Sequence, residues 1–325
     1  MMPRPCASLS LDLDNAWSYL KTRGDDAWTA MPSYFETVVP RFLAINRDLG
    51  LPLSVFIVGA DAAIEANRPW LREIADAGCE IGNHSFNHEP WLHLYSAEET
   101  AAEIIRAEEA IQAATGVRPR GFRGPGFSVS AQVLETLAAR RYLYDASTFP
   151  TVIGPLARLY YFMKAPLSRE DRKTRDRLFG RISDGFRPLR PYRWSTHEGG
   201  LVEIPVTTMP LLRVPFHLSY LHYLAGYSPA LARGYFRAGL AACRLRGVEP
   251  SFLLHPLDYL GAGEFPGLDF FPAMNQPAEQ KLELARWALE TLAGHFEVVT
   301  MREHAERASV KDLPTLQPRL LAQPA

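Results

Sequence analysis

The sequence ASLSLDLDN, residues 7–15, is typical of a short buried strand that ends in two carboxylates. Downstream, Tyr34–Leu49 has apolar side chains at helical spacing and stops at Gly50, and Leu53–Val58 is an apolar run of buried-strand length. The same alternation predicts later strands at Glu80–His84, Gly121–Arg123, Leu143–Ala146, Glu203–Thr207, Ser251–His255 and Phe296–Thr300. This pattern indicates an α/β barrel or a doubly wound sheet, with its chemistry at the strand ends.

A strong helix signal lies between two of these strands. Ser96 and Glu99 form a capping-box pattern, and the helix that they start is predicted to end at Gly116. Its charged residues are predicted to form a solvated face: Glu103, Arg106, Glu108 and Glu109.

Composition excludes several classes of protein. The chain has 325 residues, of which 47% are hydrophobic and 22% charged, as in ordinary globular domains. Its 35 basic and 36 acidic residues give a net charge of -1, which does not favour a nucleic-acid partner. The odd and widely spaced cysteines Cys6, Cys79 and Cys243 favour reduced thiols, and no export signal is evident, so we expect a cytoplasmic protein.

One basic segment interrupts the alternation. Between Arg158 and Arg193 the sequence has eleven Lys or Arg and four Asp or Glu, with aromatic residues on both sides. It is either a solvated helix with its flanks or a surface for an anionic ligand or an acidic membrane. The apolar stretch Met209–Tyr227 contains prolines and a charge and is not expected to span a membrane. The predicted divisions are a first barrel part over 1–150, an insertion over 151–198, the rest of the barrel over 199–305 and a tail over 306–325.

Two short patterns point to a metal. Asp12 and Asp14 are two residues apart, so on a strand both point to one face, although an aspartate pair can also cap a loop. His84 and His88 in GNHSFNH are four apart and on a helical turn would project together, although they could instead form hydrogen bonds within a loop. Two histidines and one carboxylate leave coordination positions open for water and substrate.

The motifs SLDLDN, NHSFNH, FRGPGF, LYDAST and LLHPLD, in this order, resemble those of the metal-dependent polysaccharide deacetylase family with the NodB-homology domain, which is carbohydrate esterase family 4-like. The resemblance extends over roughly Ala7–Thr300, with an insertion at about Thr151–Glu198. It implies a distorted (β/α) barrel of NodB-homology type, built as a single domain with an insertion. The D-x-D spacing is similar to that of the intracellular branch of the family.

The resemblance implies a role for each motif. Asp14, His84 and His88 would hold one divalent ion, expected to be Zn²⁺ with Co²⁺ or Ni²⁺ as alternatives. Asp12 would be the catalytic base, and Arg123 would orient it. The ion would activate water and polarise a carbonyl.

The acid and the substrate contacts come from the remaining motifs. His255 would be the general acid, with Asp145 supporting the site beside it. Gly126 stands where many relatives have an aromatic residue, and its backbone N–H could stabilise an oxyanion. The candidate substrate contacts are Asn15, Trp17, Trp91, Pro125, Gly126 and Phe127.

The resemblance implies a hydrolase that removes an N-acetyl group from an amino sugar of a bacterial glycan or of a glycan precursor. Because an intracellular enzyme cannot easily reach a finished wall polymer, we expect a polyprenyl-phosphate-linked or nucleotide-linked substrate and peripheral contact with the inner membrane face. One alternative is a hydrolase of small cyclic or linear amides, imidase- or allantoinase-like. Another is a non-catalytic carbohydrate-binding protein on the same scaffold.

Overall fold

The computed structural model describes residues 4–152 and 185–318. The strands in these residues are β1 Cys6–Leu13, β2 Ser54–Ile57, β3 Glu80–Asn83, β4 Gly121–Phe122, β5 Tyr144–Asp145, β6 Tyr192–Thr196, β7 Gly199–Glu203, β8 Ser251–Leu254, β9 Glu297–Val299 and β10 Thr315–Leu316. The α-helices are α1 Ala16–Arg23, α2 Phe35–Leu49, α3 Gly59–Ala63, α4 Arg68–Asp76, α5 Ala97–Thr115, α6 Ala131–Ala139, α7 Leu218–Ala225, α8 Pro229–Arg246, α9 Ala278–His295 and α10 Met301–Ser309.

The strands form one mostly parallel sheet in the order β10-β6-β7-β5-β4-β3-β2-β1-β8, with β9 pairing with the start of β1. Among the described strands, only β6 and β7 pair in antiparallel fashion. Beyond β7, the Thr207 N–H donates to the Ser251 carbonyl at 3.1 Å, which links this part of the chain to β8 and curves the sheet toward closure. The predicted α/β fold is confirmed.

Strand β1 alternates between apolar and polar side chains, and all its residues are buried. The odd-numbered positions join the hydrophobic core: Ala7, Leu9, Leu11 and Leu13. Side chains of a strand alternate between its two faces, so the even-numbered positions share the other face: Cys6, Ser8, Ser10 and Asp12. One face of β1 is therefore polar along its whole length although no part of it is exposed.

Local signals place several helix ends correctly. The Ser96–Glu99 capping box is present, and Gly50 ends α2 in the left-handed conformation with φ 64°. The predicted strand Glu203–Thr207 is instead Gly199–Glu203, because these residues pair with β6 as a hairpin.

Two predicted boundaries differ from the structure. Tyr192–Thr196, placed in the 151–198 insertion, belongs to the sheet as β6, and Thr315–Leu316 of the predicted tail pairs with it as β10. Residues 153–184, which hold most of the basic segment, lie outside the described residues. Within the described residues, no helix combines the length and the apolar character needed to cross a membrane.

Candidate active site

The predicted site lies at the end of the sheet where its central parallel strands finish. Strands β5, β4, β3, β2, β1 and β8 are neighbours and run parallel, so their carboxyl ends lie along one edge. The residues that end or directly follow them are Asp145, Arg123, His84, Asp14 and His255. Parallel strand ends are where α/β folds place their chemistry.

Asp14, His84 and His88 form a compact cluster, called here the strand-end site. Asp14 Oδ1 lies 2.9 Å from His88 Nε2 and 3.2 Å from His84 Nε2. One ligand atom from each residue lies within 4.8 Å of the other two. Burial opposes the charge on Asp14, but the two imidazoles outweigh it and hold its pKa well below the ordinary value.

The two histidines converge through a bent loop, so the predicted helical turn is wrong. Residues 84–89 contain no helix, and Ser85 and His88 have left-handed φ angles of 61° and 53°. Glu103 on α5 holds this loop: it accepts hydrogen bonds from the Phe86 N–H at 3.0 Å and from the Asn87 side chain at 2.7 Å. The prediction that Glu103 lies on a solvated face is also wrong, since it is 6% exposed.

The residues of the strand-end site fit a metal ion. The Arg123 carbonyl lies 2.6 Å from His84 Nδ1, so a neutral His84 would donate there and leave its Nε2 lone pair for a metal ion. Asp14 Oδ1 is buried and lacks a hydrogen bond of acceptable geometry, although two imidazole nitrogens face it. A cation between these three atoms would satisfy all of them.

Asp12 and Arg123 form a buried ion pair beside the strand-end site. Arg123 Nη1 lies 2.6 Å from Asp12 Oδ1 and 2.9 Å from Ser10 Oγ, and Nε donates to the Ala146 carbonyl at 3.0 Å. The guanidinium is 0% exposed and packs 4.4 Å over the Phe56 ring. These contacts fix Arg123, and Arg123 in turn fixes the Asp12 carboxylate.

His255 follows β8, whose residue Leu254 is in register with Leu11 of β1. Its Nδ1 lies 3.0 Å from Ser219 Oγ, and its backbone N–H donates to Asp258 at 2.8 Å. Ser219 also forms a hydrogen bond with Asp258. The imidazole Nδ1–H can therefore donate to Ser219, which donates to Asp258, and this leaves Nε2 for the site.

Asp145 was expected to lie beside His255, but the pairing of β5 with β7 places it elsewhere in the sheet. Asp145 is paired with Glu203 of β7 and accepts a hydrogen bond from Ser147. Burial, and then the Glu203 carboxylate, raise the pKa of Asp145 well above its ordinary value. Asp145 therefore lies beside Glu203, and Asp258 is the carboxylate that contacts His255.

His217 packs against the candidate acid and had no predicted role. Its ring lies 6.0 Å from that of His255, in an edge-on arrangement. Burial, with the nearby charge of His255, lowers the pKa of His217 to about 3, so it is neutral at physiological pH. Sequence spacing gives no sign of this contact, because α7 lies far from the LLHPLD motif along the chain.

Asn15 and Trp17 were expected to contact substrate, but both are buried and bonded within the protein. Asn15 Nδ2 and Trp17 Nε1 donate to Asp61 Oδ1 at 2.7 and 3.0 Å. The Trp17 ring also packs edge-on against His88, with 6.4 Å between ring centres. Burial raises the pKa of Asp61 to about 7 against the effect of these donors. Asn15 and Trp17 therefore support the loop of Asp14 and the ring of His88.

The FRGPGF motif forms a turn at the edge of the site. Pro125 is buried and Gly126 is exposed, with φ 57° and with Pro90 only 3.0 Å from where a Cβ would stand. The Phe127 ring packs 4.7 Å from that of Phe149. Trp91 is half-buried in the loop beyond His88. These four positions remain predicted substrate contacts.

The strand-end site, the buried Asp12–Arg123 pair and His255 thus lie at one end of the sheet of an α/β fold. Residues 24–144 match the family model described as polysaccharide deacetylase, so this part of the chain is similar to that family and the predicted resemblance is confirmed. This match includes His84, His88 and Arg123. Asp12 and Asp14 precede it, and His255 follows it.

Known proteins show the same relationship. The chain is 30% identical over 112 residues to the peptidoglycan deacetylase of Helicobacter pylori, which is 34% of this chain and 37% of that protein. It is 32% identical over 92 residues to the peptidoglycan deacetylase-like protein FGM2 of Gibberella zeae, 28% of this chain and 25% of that protein. These matches thus span about a third and a quarter of the relatives' own lengths.

The fold has a solved counterpart. A crystal structure from Mycobacterium smegmatis, of a protein itself assigned only provisionally to the polysaccharide deacetylases, superposes with a TM-score of 0.63 at 21% identity. The superposition covers 99% of this chain and 95% of that one. The shared fold therefore extends well beyond the segment matched by the family model.

Proposed function

We propose that this protein is a metal-dependent hydrolase that removes N-acetyl groups from an amino sugar of a bacterial glycan or glycan precursor. The observation that carries the proposal is the convergence of Asp14, His84 and His88 beside the buried Asp12–Arg123 pair. A metal-ligand set and a fixed carboxylate base are the two parts that amide hydrolysis by activated water needs.

Asp14, His84 and His88 would hold the divalent ion, and their oxygen and nitrogen donors suit Zn²⁺ as well as Co²⁺ or Ni²⁺. When bound, such an ion would act as a Lewis acid on the amide carbonyl and lower the pKa of water toward neutrality. Trp17 and Glu103 would keep the His84–His88 loop in the shape that presents both rings.

Asp12 would accept the proton of the attacking water. Arg123 Nη1 holds Asp12 Oδ1 at 2.6 Å, and Ser10 and Ala146 hold the guanidinium, so the carboxylate cannot rotate away from the reacting atoms. A carboxylate held in one position can accept a proton at a defined atom, as a general base must.

His255 would protonate the leaving amine. Its Nδ1 lies 3.0 Å from Ser219 Oγ, which can orient the ring so that Nε2 faces the site. Without this proton the amine is a poor leaving group. The base Asp12 lies on β1, and the acid His255 follows the neighbouring strand β8. Both would therefore act from adjacent strand ends.

Two features support a saccharide substrate carried on a lipid. The matched relative from Helicobacter pylori is a peptidoglycan deacetylase, which favours an N-acetylated glycan unit. In addition, large apolar side chains are exposed in the stretch Met209–Tyr227, namely Leu211, Leu212, Tyr223 and Tyr227. We infer that these side chains contact the inner face of the membrane while the enzyme acts on a polyprenyl-phosphate-linked sugar.

Acetate release tests the reaction and its substrate. The panel contains N-acetylated sugar nucleotides, lipid-linked saccharides, peptidoglycan fragments and small cyclic imides, assayed with the wild-type chain supplied with Zn²⁺, Co²⁺ or Ni²⁺. We expect acetate from the saccharides, and Asp12→Asn should lower turnover about 10²–10⁴-fold. The matched control is Asp76→Asn, on an exposed helix end, which should leave turnover unchanged. Hydrolysis of imides alone would indicate the small-amide activity, and inactivity throughout would favour a binding protein.

Vesicle flotation tests the membrane contact separately. The wild-type chain should float with acidic phospholipid vesicles at low salt, and a Leu211→Ser/Leu212→Ser variant should float less. A chain that ignores such vesicles would refute the membrane contact and leave the deacetylase proposal intact.

A further inference from the structure

A second cluster of potential ligands lies at the opposite end of β1. Cys6 begins β1, Glu249 precedes β8, and His304 lies on α10. A ligand atom from each of these residues lies within 4.8 Å of the other two. Cys6 and His304 are 2% and 0% exposed, and the Glu249 side chain is 22% exposed. We call these three residues the Cys6 cluster.

His304 has one satisfied and one unsatisfied ring nitrogen. Its Nδ1 lies 2.9 Å from the buried Ser8 Oγ, which can fix the tautomer with the proton on Nδ1. Its Nε2 is buried without a hydrogen-bond partner and points into the cluster, where Glu249 Oε2 is 4.0 Å away. This separation is too long for a hydrogen bond, and a buried polar nitrogen without a partner destabilises the folded chain.

We propose that Cys6, Glu249 and His304 bind a divalent cation of the zinc class. Sulfur and imidazole donors select such ions over Mg²⁺ and Ca²⁺, which prefer oxygen ligands only. In a tetrahedral zinc site the donor atoms lie about 3.3–3.6 Å apart. The three ligand atoms lie within 4.8 Å of one another, so each distance would need to shorten by at most about 1.5 Å. The His304 Nε2 lone pair would then be satisfied by the metal.

The charges nearby allow this ion. Burial, and then the Glu249 carboxylate, raise the pKa of the Cys6 thiol to about 12, so the ion would bind with release of the thiol proton to solvent. The resulting thiolate and the Glu249 carboxylate would then supply two negative charges against the two positive charges of the cation. Lys311 Nζ is 2.7 Å from Glu249 Oε2, but its side chain is 50% exposed and can turn into solvent. Arg307, the other nearby cation, is engaged by Glu297 at 2.7 Å and Glu303 at 2.6 Å.

The proposed site joins parts of the chain that are far apart in sequence. Cys6 lies at the start of β1, Glu249 lies just before β8, and His304 lies on α10. Three protein donors leave a fourth position for water, open on the side of the exposed Lys311. Because no base or acid equivalent to Asp12 and His255 contacts the cluster among the described residues, we assign it a stabilising role.

Cobalt spectroscopy tests the proposal, because thiolate ligation of Co²⁺ gives a near-ultraviolet charge-transfer band that oxygen and nitrogen ligands do not. The reduced, metal-free full-length chain is titrated with Co²⁺ alone. We expect the band in the wild type and also in His84→Gln, whose strand-end site is impaired. The band should disappear in Cys6→Ser and persist in the matched controls Cys79→Ser and Cys243→Ser.

Ser8→Ala and His304→Gln extend the test if Cys6→Ser fails to fold. Each should raise the dissociation constant for Co²⁺ read from this band by about tenfold or more, since one orients a ligand and the other removes it. Absence of the band in the wild type at saturating Co²⁺ would overturn the proposal. Persistence of the band in folded Cys6→Ser would overturn it as well.

Discussion

Strand β1 carries a ligand cluster at each end, and the two clusters differ in chemistry. Asp14 of the strand-end site and Cys6 of the Cys6 cluster are separated by eight residues, about 26 Å of extended strand. The strand-end site combines one carboxylate and two imidazoles with a buried ion pair, Asp12–Arg123. The Cys6 cluster has a thiol in place of one imidazole. The basic side chain beside it, Lys311, is half exposed.

The difference shows how neighbouring groups separate catalysis from stabilisation on one strand. At the carboxyl end, Arg123 is 0% exposed and can only act on groups of the site, so the Asp12 carboxylate is held in place for a reaction. At the amino end, the Lys311 side chain is 50% exposed and can exchange with solvent, and Ser8 orients His304 as a ligand. Similar ligand sets can thus serve different purposes because their surroundings differ.

The largest contrast is expected when one ligand is removed from each cluster. His84→Gln should lower the rate of acetate release by at least about 10⁴-fold, because water activation would be lost with the ion. Cys6→Ser should keep the rate within about threefold of wild type, since its effect is on stability. Steady-state acetate release and metal content, measured on the same samples, check both. Equal losses of rate in the two folded variants would mean that the clusters are not functionally separate.

Arg123 at one end of β1 and Lys311 at the other should contribute differently to the free energy of unfolding. Arg123→Gln leaves the buried Asp12 carboxylate without its partner and should destabilise the metal-free protein by about 3–5 kcal/mol. Lys311→Gln removes a half-exposed cation and should cost about 1 kcal/mol or less. Urea unfolding at pH 7 in the presence of a chelator provides the measurement. If Arg123→Gln cost no more than Lys311→Gln, the Asp12–Arg123 pair would not be as buried as the structure places it.

Replacing Glu103 is expected to weaken metal binding more than it lowers the free energy of unfolding. It holds the backbone between His84 and His88, so Glu103→Gln should weaken Zn²⁺ binding at the strand-end site by about 10–100-fold. The matched control is Glu109→Gln, on an exposed position of the same helix. Competition with a zinc chelator gives both affinities, and the thiolate band of the Cys6 cluster should be unchanged in both variants. Equal affinities for the two variants would assign Glu103 to the fold alone.

The sequence predicts the ligands of the strand-end site better than the residues that position them. Asp14, His84 and His88 lie in short motifs at strand ends, so local spacing and the family resemblance are sufficient. Glu103 lies on an amphipathic helix, and helical spacing does not reveal that a loop covers part of its polar face. The partner of Asp145 depends on the register between β5 and β7, which local sequence does not contain.

The Cys6 cluster and the short strands were missed for the same reason. Cys6, Glu249 and His304 come from three distant segments, and only the pairing of β1 with β8 and β9 brings them together. Strand β10 has two residues, too few for a periodic signal, and β6 overlaps the end of the basic segment. Features fixed by long-range pairing require the fold, whereas features fixed by a motif do not.

The smallest and most specific test uses two serines of the same face of β1. Ser8 and Ser10 are both fully buried, and their hydroxyls contact His304 at 2.9 Å and Arg123 at 2.9 Å, respectively. Ser8→Ala and Ser10→Ala each remove one hydroxyl and should cost similar stability, about 0.5–1.5 kcal/mol. Their other effects should separate. Ser10→Ala should lower turnover about tenfold by loosening Arg123 and leave the cobalt–thiolate band intact, because the hydroxyl acts through the base.

Ser8→Ala should do the reverse, with normal turnover and a weakened band, because its hydroxyl orients a ligand of the Cys6 cluster. The two variants differ from each other by the position of one oxygen atom on one buried strand, so general packing damage would affect both alike. If each variant changed both the turnover and the band, the two ends of β1 would be coupled through the strand. The division of roles between them would then have to be abandoned.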